Sequence, residues 1–200
     1  MIRRWAPAKP GRKTASSPVK QDVRSSTPFP ISEVTTPHSG KIGICPCPGR
    51  KFPPALGIVS QQSLTRDLLA IRAFPATALI TLMEMGELDW AGPTLPELRE
   101  ACAAQGMQHI YLPIVDCEIP DPHWERRWAS HGPELHTLLQ SGHNIVFHCR
   151  GGRGRAGLAV TRMLIETGEA PALAIARVRA ERSGAIETKA QEDYLLQLRA

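Results

Sequence analysis

Two hundred residues, 42% of them hydrophobic and 22% charged, suit one domain with a sizeable core and a modest tail, and leave no room for a second full domain. No apolar run approaches the ~20 residues of a membrane-spanning helix, and residues 1–28 lack the apolar centre of a secretory signal. The net charge of +5 is not spread along the chain: Arg3, Arg4, Lys9, Arg12, Lys13, Lys20 and Arg24 face Asp22 alone, and beyond residue 28 stand 17 basic and 18 acidic residues.

That basic, Pro- and Ser-rich start cannot bury much apolar surface, so residues 1–37 are expected to be a disordered tail and residues 38–200 the folded domain. With no aromatic interleaving beyond Trp5, it reads as a solvated extension, and no nucleic-acid partner is expected. Residues 41–45 read as a short strand bounded by Pro46, Pro48 and Gly49. Residues 63–74 carry Leu64, Leu68, Leu69 and Ile71 at helical spacing and stop before Pro75. An apolar strand is expected over 77–83, then a helix over 94–105 with Thr94 as N-cap and Gly106 as terminator. Residues 109–112 form another strand. Residues 122–141 read as a helical stretch interrupted at Gly132-Pro133, with Trp124 and Trp128 sharing one face as a packing staple. The four histidines around it, His123, His131, His136 and His143, read as part of a polar face rather than a metal cluster. Strand 144–148 is followed by helices over 156–167, 171–182 and 188–198. Strands alternating with crossover-length helices predict an α/β fold with a central, mostly parallel sheet flanked by helices, in which ligands bind at the carboxyl ends of strands.

The five cysteines, Cys45, Cys47, Cys102, Cys117 and Cys149, are odd in number and lack disulfide-framework spacing. That points to a reducing, cytoplasmic setting. Cys45-Pro46-Cys47 has no second Cys or His pair at zinc-like spacing nearby and reads as strand-end packing. Cys149 is different, because it lies in Val146-Phe147-His148-Cys149-Arg150-Gly151-Gly152-Arg153-Gly154-Arg155-Ala156-Gly157. Glycines let consecutive backbone N–H groups converge as an anion nest, and the helix that follows presents a positive N-terminus. Such a site fits a phosphate dianion, and the same field favours the thiolate, which is the nucleophilic form of cysteine. Arg155 can grip two phosphate oxygens with its planar fork. His148 is expected to hold the loop and add positive potential.

Attack of a thiolate on phosphorus expels an alkoxide or phenolate, so a positioned acid is required. Asp116, Glu118 and Asp121, in the loop after the strand at 109–112, all qualify chemically; Asp121 before Pro122 also looks like a helix N-cap. Cys117 beside Asp116 is a candidate redox partner of Cys149.

The run His148-Cys149 through Arg155 resembles the signature of protein tyrosine and dual-specificity phosphatases. Gly43-Ile44-Cys45 through Pro48-Gly49-Arg50-Lys51-Phe52, the Pro113-Ile114-Val115-Asp116 loop ending in Pro120-Asp121, and Ser183-Gly184-Ala185-Ile186-Glu187-Thr188 with Gln191 and Tyr194-Leu195 are similar to the cyclin-dependent-kinase-associated (inhibitor 3-like) phosphatase family. The resemblance runs from about residue 38 to the C-terminus. It implies a cysteine-phosphatase fold, no metal or other cofactor, a phosphocysteine intermediate and a phosphorylated protein substrate carrying phosphotyrosine, phosphothreonine or phosphoserine. It also implies Cys149 as nucleophile, Arg155 as phosphate clamp, Asp116 as general acid and a phosphate loop of His148, Arg150, Gly151, Gly152, Arg153, Gly154 and Ala156. Gln191 and Asp121 are candidate supporting residues, Gln191 being equally readable as an ordinary first-turn helix residue. Three departures matter. Ala156 stands where most members carry Ser or Thr, which leaves open a pseudophosphatase that binds phosphorylated partners. Cys117 and Glu118 replace the small residues usual after the aspartate. Arg150 and Arg153 resemble the loop of phosphoinositide 3-phosphatases, which leaves that substrate class open beside a reading in which they only deepen the potential or pair with neighbours.

Overall fold

The computed structural model describes residues 28–55, 58–61 and 63–199; most of the basic tail lies outside them. Among the described residues, seven strands and seven helices follow one another as β1 (Ser32–Val34), β2 (Ile42–Cys45), β3 (Lys51–Ala55), β4 (Ile58–Gln61), α1 (Leu64–Ala73), β5 (Ala76–Thr81), α2 (Met85–Ala91), α3 (Leu95–Ala104), β6 (Gln108–Tyr111), α4 (Pro122–Gln140), β7 (Asn144–His148), α5 (Gly154–Glu166), α6 (Pro171–Glu181) and α7 (Lys189–Gln197). The main sheet has the order β1-β2-β7-β5-β6, and β3 and β4 form a separate two-stranded ribbon. All neighbours in the main sheet are parallel except β1, which runs antiparallel to β2 at the edge.

The α/β fold expected from the alternating pattern is therefore the one formed. Strand β7 lies between β2 and β5, and its Ile145, Val146 and Phe147 are fully buried, as a central parallel strand covered on both faces requires. Its last residue, His148, is in register with Cys45 at the end of β2 and Thr81 at the end of β5. Three carboxyl ends thus meet at one level, and the chain leaving β7 there is the Cys149 loop. Helix α5 packs on β2 and β7, α4 on β7, and α1 and α3 on β5 and β6.

Local chemistry accounts for most element ends. Ser63, Thr94, Asp121 and Thr188 each cap a helix by accepting a backbone N–H bond, and Thr94 with Glu97 completes a capping box. Gly106, at φ 67°, ends α3 as expected.

Two expectations are corrected. Residues 32–34, assigned by composition to the tail, form β1 and pair with β2; a three-residue edge strand carries too little pattern to stand out from a Pro- and Thr-rich background. The break expected at Gly132-Pro133 is absent, because α4 runs unbroken from Pro122 to Gln140. Pro133 forfeits one backbone bond, but Trp124 and Trp128 are both buried and stacked at 4.8 Å, and Leu135 and Leu139 are fully buried further along. Packing of that face on either side of Pro133 outweighs one lost bond, and Gly132 leaves room for the Trp128 indole, which a side chain would meet at 3.0 Å.

Candidate active site

Cys149 is buried at the carboxyl end of β7, with the loop ahead of it folded by contacts from distant elements. The Cys47 N–H donates to the Arg150 carbonyl (3.3 Å). The Arg182 guanidinium donates to the carbonyls of Gly151 (2.9 Å) and Gly152 (2.8 Å). In a trans peptide the C=O and N–H point in opposite directions, so pulling these three carbonyls outward turns the N–H groups of Gly151, Gly152 and Arg153 the other way. That is an anion nest, built by a cation that sequence reading did not single out. Gly152 is indispensable in it: its φ is 64°, and a Cβ would lie 2.4 Å from the Cys45 carbonyl.

Arg155 enters in the first turn of α5 and is almost fully buried. Glu87, near the start of α2, holds it in a two-pronged pair, Nη1 to Oε2 at 2.6 Å and Nη2 to Oε1 at 2.9 Å. Nη2 also meets the Asp116 carboxylate at 2.8 Å. Burial by itself would lower the guanidinium pKa, but the Glu87 hydrogen bonds and the nearby Cys149, Glu87 and Asp116 outweigh it and raise the pKa above its ordinary value. The Nε–H of Arg155 is buried and finds no hydrogen-bond partner among the described residues. A buried, unsatisfied, permanently charged donor is costly; beside a nest of amides it suits an oxyanion.

The loop that carries Asp116, Cys117 and Glu118 is pinned by α7. Gln191 is fully buried; its side-chain carbonyl accepts from the Glu187 N–H (3.0 Å) and its amide donates to the Glu118 carbonyl (3.1 Å). Thr188 donates to the Cys117 carbonyl (3.2 Å). Gln191 is thus a staple between the acid loop and the corner before α7, and its place in the first turn of a helix was the lesser part of its role. Cys117 itself sits at φ 64°, the left-handed region that glycine occupies without strain and other residues rarely adopt. Its side chain is exposed, and the Asp116 carboxylate beside it raises the thiol pKa.

Several expected residues take other positions. His148 is wholly buried, with Nε2 2.6 Å from the Thr81 hydroxyl, which is in turn 2.9 Å from His109 Nε2. Burial, then His109, lowers its pKa to about 3, so it buttresses the strand end as a neutral ring and adds no positive potential. The Gly154 N–H donates to Glu187 (2.9 Å) and is not free for the nest. Asp121 caps α4, accepting from the Trp124 N–H (2.6 Å). Arg150 lies over the Trp90 ring, 4.5 Å from its centroid, and the Arg153 stem lies against Gly184. Ala156 is fully buried. Cys45 and Cys47 flank the loop as buried thiols; burial first, and then neighbouring Cys149, pushes Cys47 up to about 12. Glu87, Arg182 and Trp90 were missed, because nothing in their local sequence distinguishes them from solvated residues of a helix surface.

A buried cysteine at the carboxyl end of a central parallel strand, an amide nest and an arginine paired with an aspartate from another loop define a cysteine-phosphatase domain. Residues 52–195 match the family described as PTP-SAK, the Swiss Army Knife protein, DSP-PTPase phosphatase domain. The chain belongs to this family, within the dual-specificity phosphatase superfamily. Among solved structures it is similar to kinase associated phosphatase (KAP) with its catalytic-site cysteine substituted by serine, at 26% identity over 86% of this chain and 94% of that one, TM-score 0.72. Tk-PTP in its active form shares the fold at 24% identity, covering 78% and 89% of the two chains, TM-score 0.57. PTPMT1 in complex with PI(5)P does so at 19% identity, covering 82% and 92%, TM-score 0.58. No curated relative matches the chain in sequence.

Proposed function

We propose that the protein hydrolyses phosphomonoesters on proteins by two displacements. The Cys149 thiolate attacks phosphorus while the amides of Gly151, Gly152 and Arg153 and the Arg155 guanidinium hold the non-bridging oxygens. The P–O bond to the leaving group breaks as Asp116, protonated, gives its proton to the departing oxygen. Asp116, now a carboxylate, then takes a proton from water, whose oxygen attacks the phosphocysteine; orthophosphate leaves and the thiolate is restored with Asp116 protonated again. The observation that carries this reading is Arg155, clamped by Glu87, in contact with Asp116 and keeping a buried Nε–H without a partner. It supports Asp116 over Asp121, whose carboxylate is used as a helix cap.

Phosphate release from a chromogenic aryl phosphate tests it. Cys149→Ser is expected to abolish turnover, Asp116→Asn to lower it by roughly 100-fold or more, and Asp121→Asn to leave it nearly unchanged. Loss in Asp121→Asn with Asp116→Asn unimpaired would sink the assignment of the acid.

A second reading, a module that holds phosphorylated partners with little turnover, is favoured by Ala156, which offers no hydroxyl to the departing thiolate. Equal inactivity of the native chain and Cys149→Ser, with phosphopeptide binding retained, is its signature.

A further inference from the structure

Trp90 is 57% exposed, an unusual place for a large aromatic side chain that has no fold to hold together. It sits three residues after Glu87 on α2, the helix that clamps Arg155. Its ring is gripped by the guanidinium of Arg150, the residue that follows Cys149. The indole therefore neighbours the Cys149 loop through Arg150 and shares a helix with Glu87. It also lines an open pocket of about 400 Å³ together with Glu84, Gly86, Glu87 and Asp116. Two of those walls, Glu87 and Asp116, are the partners of Arg155, so the pocket lies next to the group that would hold a phosphate.

We propose that Trp90 is a specificity-determining residue: an aromatic wall for the ring of an aryl phosphomonoester, which makes phosphotyrosine in a protein the preferred substrate. This deepens the hydrolase reading above and rests on it. A single phosphate dianion fills the nest, and the ring attached to it extends past Asp116 to the indole, where offset or edge-to-face contact is favourable. Phosphoserine and phosphothreonine bring no ring and are shorter. A polyphosphorylated inositol headgroup meets the carboxylates of Glu84, Glu87 and Asp116 outside the nest. The two arginines whose positions had suggested such headgroups are turned to Trp90 and Gly184.

The test uses one peptide sequence phosphorylated on either tyrosine or threonine, with the full chain, Trp90→Ala and Trp90→Phe. Trp90→Ala is expected to lower kcat/KM on the phosphotyrosine peptide roughly tenfold through KM, with kcat and the phosphothreonine peptide changed less than about twofold, and Trp90→Phe to restore most of the loss. Equal losses on both peptides, a loss in kcat alone, or no loss overturns the proposal. So does faster phosphate release from vesicles containing a phosphoinositide than from the phosphotyrosine peptide. Binding to Cys149→Ser, with and without Trp90→Ala, separates this proposal from the hydrolase reading. If the native chain turns over neither peptide while trap binding of the phosphotyrosine peptide still weakens roughly tenfold on loss of Trp90, the hydrolase reading fails and the aromatic wall stands. If both peptides are turned over and binding is indifferent to Trp90, the reverse holds.

Discussion

At the scale of single residues, Ala156 bears most directly on the rate of the proposed reaction. It lies in the first turn of α5 directly after Arg155 and is fully buried. In the proposed reaction, attack by Cys149 does not need a hydroxyl at position 156, whereas expulsion of the Cys149 thiolate from the phosphocysteine is helped by one, because charge builds on sulfur in that step. Ala156→Ser is therefore expected to raise steady-state turnover by roughly 100-fold, the lower end of what a single preorganised donor supplies, while shrinking any initial burst of aryl alcohol. Identical burst and steady-state rates in the two proteins would remove breakdown of the intermediate as the slow step. Glu87 works at the same scale and in the opposite sense. By fixing both prongs of Arg155, it leaves the guanidinium one orientation and so limits the reorganisation required when phosphate arrives.

At the scale of elements, the corner between α6 and α7 shapes both loops of the candidate site. Arg182, the C-cap of α6, holds the carbonyls of Gly151 and Gly152, and Gln191 and Thr188 at the start of α7 hold those of Glu118 and Cys117. The corner itself is held in a strained form. Ile186 is buried at φ 59°, a conformation that costs a β-branched residue on the order of 1–3 kcal/mol, and Arg179 bonds the carbonyls of Ala185 and Ile186 on either side of that backbone. Removing the clamp while keeping the bulk, as Arg182→Met does, is expected to release the two carbonyls and let their peptides rotate. Affinity for inorganic phosphate as a competitive inhibitor should then fall by roughly tenfold or more, as expected for two charge-assisted bonds, with circular dichroism unchanged. Native-like phosphate affinity in Arg182→Met would show that the loop keeps its shape without the corner.

At the scale of the whole molecule, the sheet's centre carries a titratable cluster that links folding to pH. His148 and His109 share the Thr81 hydroxyl between β7, β5 and β6. Burial, then each ring's charged neighbours, lowers them to about 3 and about 4 from the ordinary 6.5. Both rings are neutral when folded and take up protons on unfolding once the pH drops below about 6.5. Their contribution to stability is thus complete above that value and is lost as the pH falls toward 4 and then 3. For the fully buried His148 this amounts to something on the order of a few kcal/mol. The urea midpoint is expected to fall steadily between pH 7 and pH 4.5, and less steeply in His109→Gln, which keeps a partner for Thr81. A midpoint that does not move over that range, or an equal slope in the variant, would falsify the role of the cluster.

The glycine-rich segment from Cys149 to Arg155 and the α/β alternation were legible in the chain itself, because each depends on neighbours a few residues away. Glycines shape a loop locally, a helix begins where its caps and periodicity say, and Cys149 and Arg155 are six positions apart in one turn. Tertiary structure alone decided what surrounds them. Glu87 reaches Arg155 across 68 positions, Arg182 reaches the loop across 30, and Gln191 reaches the acid loop across 73. The choice between Asp116 and Asp121 likewise turned on which carboxylate met Arg155 and which met a helix end. Such contacts leave no periodicity, spacing or composition to read, since their energy comes from charges and hydrogen bonds brought together only when β7, β5 and β2 end at one level. Local chemistry placed Cys149 and Arg155 in one loop; the close approach of distant segments specified how that loop is held.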